Sequence, residues 1–111
     1  MLEQSDLSGQ ISLEAVPWCD GAIPLAKDGV HSSIYPQTSA LAGRMSIDQA
    51  LRLDPRFALL FDPQTAGGML AAVPADQVAG LVSQMAALGQ SAWIIGSLSA
   101  HTDGHRLSVI A

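Results

Sequence analysis

The chain has 111 residues, 49% of them hydrophobic but only 5% aromatic and 14% charged, with ten acids against five bases for a net charge of −5. That length suits one domain, and the acidic balance repels phosphate backbones and anionic headgroups, so neither nucleic acid nor a membrane surface is expected as a partner. No apolar run reaches the ~18 residues that a membrane-crossing helix needs, and the lone Cys19 permits no internal disulfide, which suits a reducing cytoplasm.

The amino-terminal residues lack the charged-then-apolar layout of a signal peptide. Ile11, Leu13 and Ala15 alternate with Ser12, Glu14 and Val16, which predicts a strand with one inward face. Pro17 ends it, because proline donates nothing to a ladder. Ile23 to Lys27 reads as a short helix closed by Gly29, and His31 to Arg44 as a long polar loop with one helical turn. Ser46 and Gln49 have capping-box spacing ahead of Ile47, Ala50 and Leu51, which predicts a helix start there. Asp54-Pro55 predicts a second one, with Pro55 at the first helical position where a missing N–H costs nothing. Met69 to Val73 is an unbroken apolar run of strand length, expected to be buried on both faces. Pro74 to Leu88 is the clearest helix, with Val78, Leu81, Val82, Met85 and Leu88 on one face and Gly89 at the cap. Ala92 to Leu98 and Arg106 to Ile110 read as two strands joined by a tight turn at Asp103-Gly104. The order predicts an α+β domain, a mixed β-sheet with helices packed on one face. Sparse charge further predicts that part of the apolar surface is covered by another body.

Candidate chemistry concentrates in Asp62-Pro63-Gln64-Thr65-Ala66-Gly67-Gly68, between a helix and the apolar run. Pro63 fixes its own φ, Asp62 can brace the turn, and Gly67 and Gly68 permit positive φ or close approach. Successive N–H groups in such a turn can form a concave anion nest, though a plain helix-to-strand connection has the same composition. Cys19 has only acidic and apolar neighbours in sequence, nothing to lower its pKa, and reads as an incidental thiol. His101 and His105 are four apart, but Asp103-Gly104 between them places them on a turn rather than on a zinc-binding helix face. His31 has no visible partner and is expected in solvent.

The Asp62 to Gly68 segment resembles the Asp-Pro-Gln-Thr-Ser-Gly-Gly signature of the carboxy-terminal domain of selenophosphate synthetases (selenide, water dikinases), with Ala66 in place of the usual Ser. Leu59-Leu60-Phe61 before it and Met69 to Pro74 after it are similar to that family's flanking helix and strand, and Val16-Pro17, Ile23 to Gly29 and Ile95-Gly96 extend the likeness. The resemblance implies a fold like the carboxy-terminal domain of aminoimidazole ribonucleotide synthetase. It implies one domain over residues 1–111, belonging to a larger cytoplasmic and homodimeric enzyme that makes selenophosphate, AMP and phosphate from selenide, ATP and water with Mg²⁺. The amino-terminal ATP-binding domain would carry the nucleotide, the metal and the reactive Cys or selenocysteine. This domain alone is expected to be inactive and to hold neither cofactor nor metal. It would contribute a turn facing the substrate phosphates through Asp62, Gln64, Thr65, Gly67 and Gly68. Another ATP-dependent enzyme of the same superfamily, or a non-catalytic docking or regulatory module of this fold, are the alternatives.

Overall fold

A computed structural model describes residues 2–111 of the chain. After a 3-10 turn at Glu3–Ser5 the elements are β1 (Leu7–Ser12), α1 (Ala22–Lys27), α2 (Tyr35–Ser39), a 3-10 turn at Ala40–Arg44, β2 (Met45–Ile47), another at Leu51–Leu53, α3 (Pro55–Leu59), α4 (Val78–Ala87), β3 (Gly96–Ala100) and β4 (Leu107–Ile110). The strands form one mixed sheet in the order β2-β4-β1-β3. β1 runs parallel to β4 and antiparallel to β3, and β2 runs parallel to β4. This is an α+β domain with a four-strand mixed sheet and four helices.

Alternation along the strands gives the sheet two unlike faces. On one, Ile11 lies beside Val109, which lies beside Ile47, and Leu107 lies beside Met45. On the other, Ser8 faces Ser99, Gln10 faces Ser97, and Ser46 faces Ser108. The hydroxyl-bearing face stays wet, and Phe57 of α3 and Tyr35 of α2 pack with the apolar face. Leu13, at 0% exposure, Val109, Phe57 and Phe61 make the core, with Met45, Ile47, Tyr35, Trp18 and Leu60 packed around them. The Phe57 and Phe61 rings meet edge to face at 5.1 Å, an arrangement that pairs the positive rim of one ring with the negative face of the other. The Trp18 indole N–H donates to the Leu13 carbonyl at 2.9 Å, so the chain leaving β1 is tied to the core. α1 packs against α3.

Local signals account for several element ends. Asp54 caps α3, its carboxylate accepting the Arg56 backbone N–H at 2.8 Å while Pro55 takes the first position. Gly89 follows α4 at φ 71°, the left-handed geometry its lack of a Cβ permits. α1 covers the predicted helix, and the loop from His31 to Arg44 holds α2 and a 3-10 turn.

Five expectations are corrected. The first strand begins at Leu7 and ends at Ser12, five residues ahead of Pro17. Ser46 starts no helix but sits in β2, where pairing with β4 outweighs the capping-box pattern. Met69 to Val73 is extended but belongs to no ladder, and Met69 is 95% exposed. β3 and β4 are joined through a turn with Gly104 at φ 84°, yet they are not neighbours, because β1 lies between them. The helix predicted over Pro74 to Leu88 forms as α4 over Val78–Ala87, so Leu88 lies beyond its end, and none of Val78, Leu81, Val82 and Met85 on its apolar face is buried.

The sparse packing of the second half of the chain enlarges the molecule. Its accessible surface is 7863 Å² for 11.5 kDa, against about 5,800 Å² for a compact monomer of that mass. The radius of gyration of 15.1 Å likewise exceeds the ~13 Å expected for this length.

Candidate functional site

The Asp62 to Gly68 segment leaves α3 and the core abruptly. Phe61 is buried, Asp62 is half-buried, and every residue from Pro63 to Gly68 is exposed. The Asp62 N–H still donates to the Leu59 carbonyl at 3.1 Å, which ends the helical turn. Beyond it the Asp62 carboxylate accepts the Gln64 side-chain amide at 3.1 Å, so Asp62 braces the bend through a side chain rather than through backbone N–H groups.

The bend folds back on itself at Gly67. A Cβ there would lie 3.1 Å from the Gln64 Cβ, tighter than ordinary van der Waals contact, so a side chain at 67 would press Gln64 aside by a few tenths of an ångström. At Gly68 there is open space. Neither glycine has positive φ; the positive-φ glycines among the described residues are Gly21, Gly29, Gly89 and Gly104. The expectation of close approach holds at Gly67, whereas the left-handed step of an anion nest is not formed. Of the five residues singled out in sequence, the structure brings Asp62, Gln64 and Gly67 together and leaves Thr65 and Gly68 facing outward into solvent.

The other candidates resolve simply. Cys19 is free and exposed. His101 Nδ1 lies 2.8 Å from the Ser8 hydroxyl, and no cluster of three His, Cys, Asp or Glu residues suited to a metal occurs among the described residues. His31 is exposed, as expected, and its ring also stacks on Tyr35 at 4.1 Å with the rings 11° apart. No helix among the described residues is long and apolar enough to cross a membrane.

Sequence reasoning missed the groove of about 730 Å³ bordered by Leu41, Arg44, Met45, His105 and Arg106. Its cations are neutralised in place: Arg44 pairs with Glu3 at 2.7 Å and Arg106 with Asp6 at 3.0 Å. Arg106 also donates to the Leu7 carbonyl at 3.2 Å. Asp6 is the one non-glycine with positive φ among the described residues, at 50°, and its own carbonyl accepts the His101 N–H at 3.1 Å. These partners are 41 to 100 positions apart, so no local pattern announces them.

The architecture places the chain in the broad class of α+β domains built on a four-strand mixed sheet. No protein-family model matches the chain, and no curated protein matches it.

Proposed function

We propose that the chain is the carboxy-terminal domain of a selenophosphate synthetase, and that its Asp62 to Gly68 bend lines a phosphoryl-transfer cleft formed with an amino-terminal ATP-binding half. The observation that carries the reading is the placement of that segment: six of seven signature positions occur on an exposed connection whose shape is set by Gln64 against Asp62 and by a glycine at 67. Thr65, Gly67 and Gly68 present a hydroxyl and backbone N–H groups that an adjoining body can approach. Phosphoryl transfer depends chiefly on positioning and on neutralising developing charge. The chain is acidic overall, so in this reading ATP and Mg²⁺ are held by the amino-terminal half, within a cytoplasmic homodimer, and this domain contributes neutral donors at the wall of the cleft. The unusually large accessible surface supports the presence of such an adjoining body.

Gly67→Val in the full-length enzyme tests the reading. The new side chain pushes Gln64 away from Asp62 and displaces the bend by up to about 1 Å, which lowers selenophosphate formation on the order of 10²-fold when substrate positioning is affected. The isolated domain should remain folded, because the bend lies outside the core. Unchanged turnover removes the bend from the site. Calorimetric titration of the isolated domain with magnesium-ATP should give no heat of binding, and micromolar affinity would overturn the division of labour.

A further inference from the structure

The wet face of the sheet carries an array of hydroxyls, and one of them has a partner unlike the rest. Ser8, Ser12, Ser46, Ser97, Ser99 and Ser108 share this face by register. Ser12 donates to the Ala111 carbonyl at 2.7 Å and Ser108 to the Gly9 carbonyl at 3.5 Å. A backbone carbonyl accepts a hydrogen bond without taking the proton away. Ser8 instead meets a ring nitrogen, His101 Nδ1, at 2.8 Å. In the neutral tautomer that carries its proton on Nε2, Nδ1 is the acceptor and a base. Among the described residues, Ser8 is the serine whose hydroxyl proton has a base to go to.

The fold holds both members in place. Ser8 lies in β1, a strand paired on both sides, directly opposite Ser99 of β3. His101 follows β3, and its backbone N–H donates to the Asp6 carbonyl at 3.1 Å, which anchors the imidazole beside Ser8. Both residues are half-buried, and Ser97 and Ser99 next to them are exposed, so a small molecule can reach the Ser8 oxygen over the flank of β3. A cation stands on the other side. Arg106 donates to the Leu7 carbonyl at 3.2 Å, part of the peptide unit that leads into Ser8, and to the Asp6 carboxylate at 3.0 Å. A guanidinium has more N–H donors than these two bonds use. The Asp6 side chain is 81% exposed, and an ion pair so open to water holds its partner weakly.

We propose that Ser8 and His101 form a nucleophile–base pair that takes acyl groups from small activated carboxylic esters. The Ser8 oxygen adds to the ester carbonyl carbon as its proton passes to His101 Nδ1. The Arg106 guanidinium is the positive group available to the oxyanion so formed. The carbon–oxygen bond to the alcohol then breaks, the alcohol leaves with the proton from His101, and Ser8 is left acylated. Water next adds to the acyl carbon and gives a proton to His101, which returns it to the Ser8 oxygen as the carboxylic acid departs. Neither step needs a co-reactant other than water. The pair shares no residue with the Asp62 to Gly68 bend, and its chemistry does not depend on a phosphoryl-transfer cleft.

The probe is p-nitrophenyl acetate, used in a Cys19→Ser background so that the exposed thiol does not compete. Peptide mass mapping after brief reaction and an acid quench should place the acetyl group on Ser8. General-base assistance is worth about 10²–10⁴-fold, so Ser8 should react at least about 100-fold faster than Ser99, its exposed neighbour on the same face. His101→Gln should slow the acetylation of Ser8 by at least the same factor, and Ser99→Ala should leave it unchanged. Circular dichroism and protection of the Ser12 amide check that the variants keep the sheet, and the comparison of Ser8 with Ser99 needs neither variant. Ser8 labelled at the pace of Ser99 overturns the proposal. So does a folded His101→Gln chain that acetylates Ser8 at the unsubstituted rate, or acetyl found on the His101 ring with none on Ser8.

Discussion

Gly96→Ala is the most exacting single test of the sheet. A Cβ built at position 96 overlaps the Gln10 carbonyl oxygen and lies 2.9 Å from the Gln10 carbonyl carbon and 3.2 Å from the Ile11 Cα. All three are backbone atoms of β1, so no side chain can swing aside to make room. The methyl is accommodated only if β3 moves off β1 at its first pair, Ile11 with Gly96. Overpacking of this kind costs about 1–3 kcal/mol, and a rigid backbone neighbour puts the substitution at the upper end. The side chains of β3 are exposed, so the loss falls on local pairing rather than on the core. Hydrogen exchange is the suitable assay: the Ser12 amide, bonded to Ile95, should exchange about 30- to 150-fold faster for a loss of 2–3 kcal/mol. Gly80→Ala in α4 is the matched contrast. Nothing lies within 4 Å of its added methyl, and it should gain about 0.5–1 kcal/mol of helix stability. An unchanged Ser12 exchange rate in Gly96→Ala would refute the close approach of β3 to β1.

Phe61→Ala removes one of five buried hydrophobic residues and the edge-to-face partner of Phe57. It should cost about 3–5 kcal/mol, measured as a fall in the urea midpoint, and a loss under 1 kcal/mol would show that the ring is not part of the core. Asp54 accepts the Arg56 guanidinium at 2.6 Å, and that hydrogen bond holds its carboxyl below the ordinary carboxylate value against the opposing effect of partial burial. A depressed folded-state pKa means the contribution is complete above the unfolded-state value and fades as pH falls through the folded one. Asp54→Ala should therefore lose about 1 kcal/mol at pH 7 and progressively less below about pH 4, followed by urea denaturation at both pH values. A loss that is the same at pH 7 and pH 2.5 would rule out the ionised cap.

What was legible in the sequence was what is decided locally. Asp54-Pro55 and Gly89 mark helix ends because capping involves backbone groups within one turn. The alternation of Ile11 and Leu13 with Ser12 identified the right sheet face, though the strand's bounds were displaced. What was not legible depends on distant partners. Ser46 and Gln49 satisfy a helix-start pattern, but Ser46 pairs with Ser108, sixty-two positions away. The Asp103-Gly104 turn was correctly seen as a reversal, yet nothing near it reveals that β1 enters between the strands it joins. Met69 to Val73 has the composition of a buried strand, and composition alone names no ladder partner. For the Asp62 to Gly68 bend, the sequence allowed positive φ or close approach at both glycines; the structure has positive φ at neither and a tight contact at Gly67 alone, and the bond from Gln64 to Asp62 that shapes the bend had no local signal.

The pairing of β1 has a consequence for how the protein is made. Leu7 waits for Ala100 and Gly9 for Leu107, so the first strand leaves the ribosome about ninety residues ahead of both neighbours. At synthesis rates of about 5–20 residues per second that interval is roughly 5–20 s. During it Ile11 and Leu13 have no sheet to join, and the nascent chain presents a half-apolar strand to any chaperone that reads such segments.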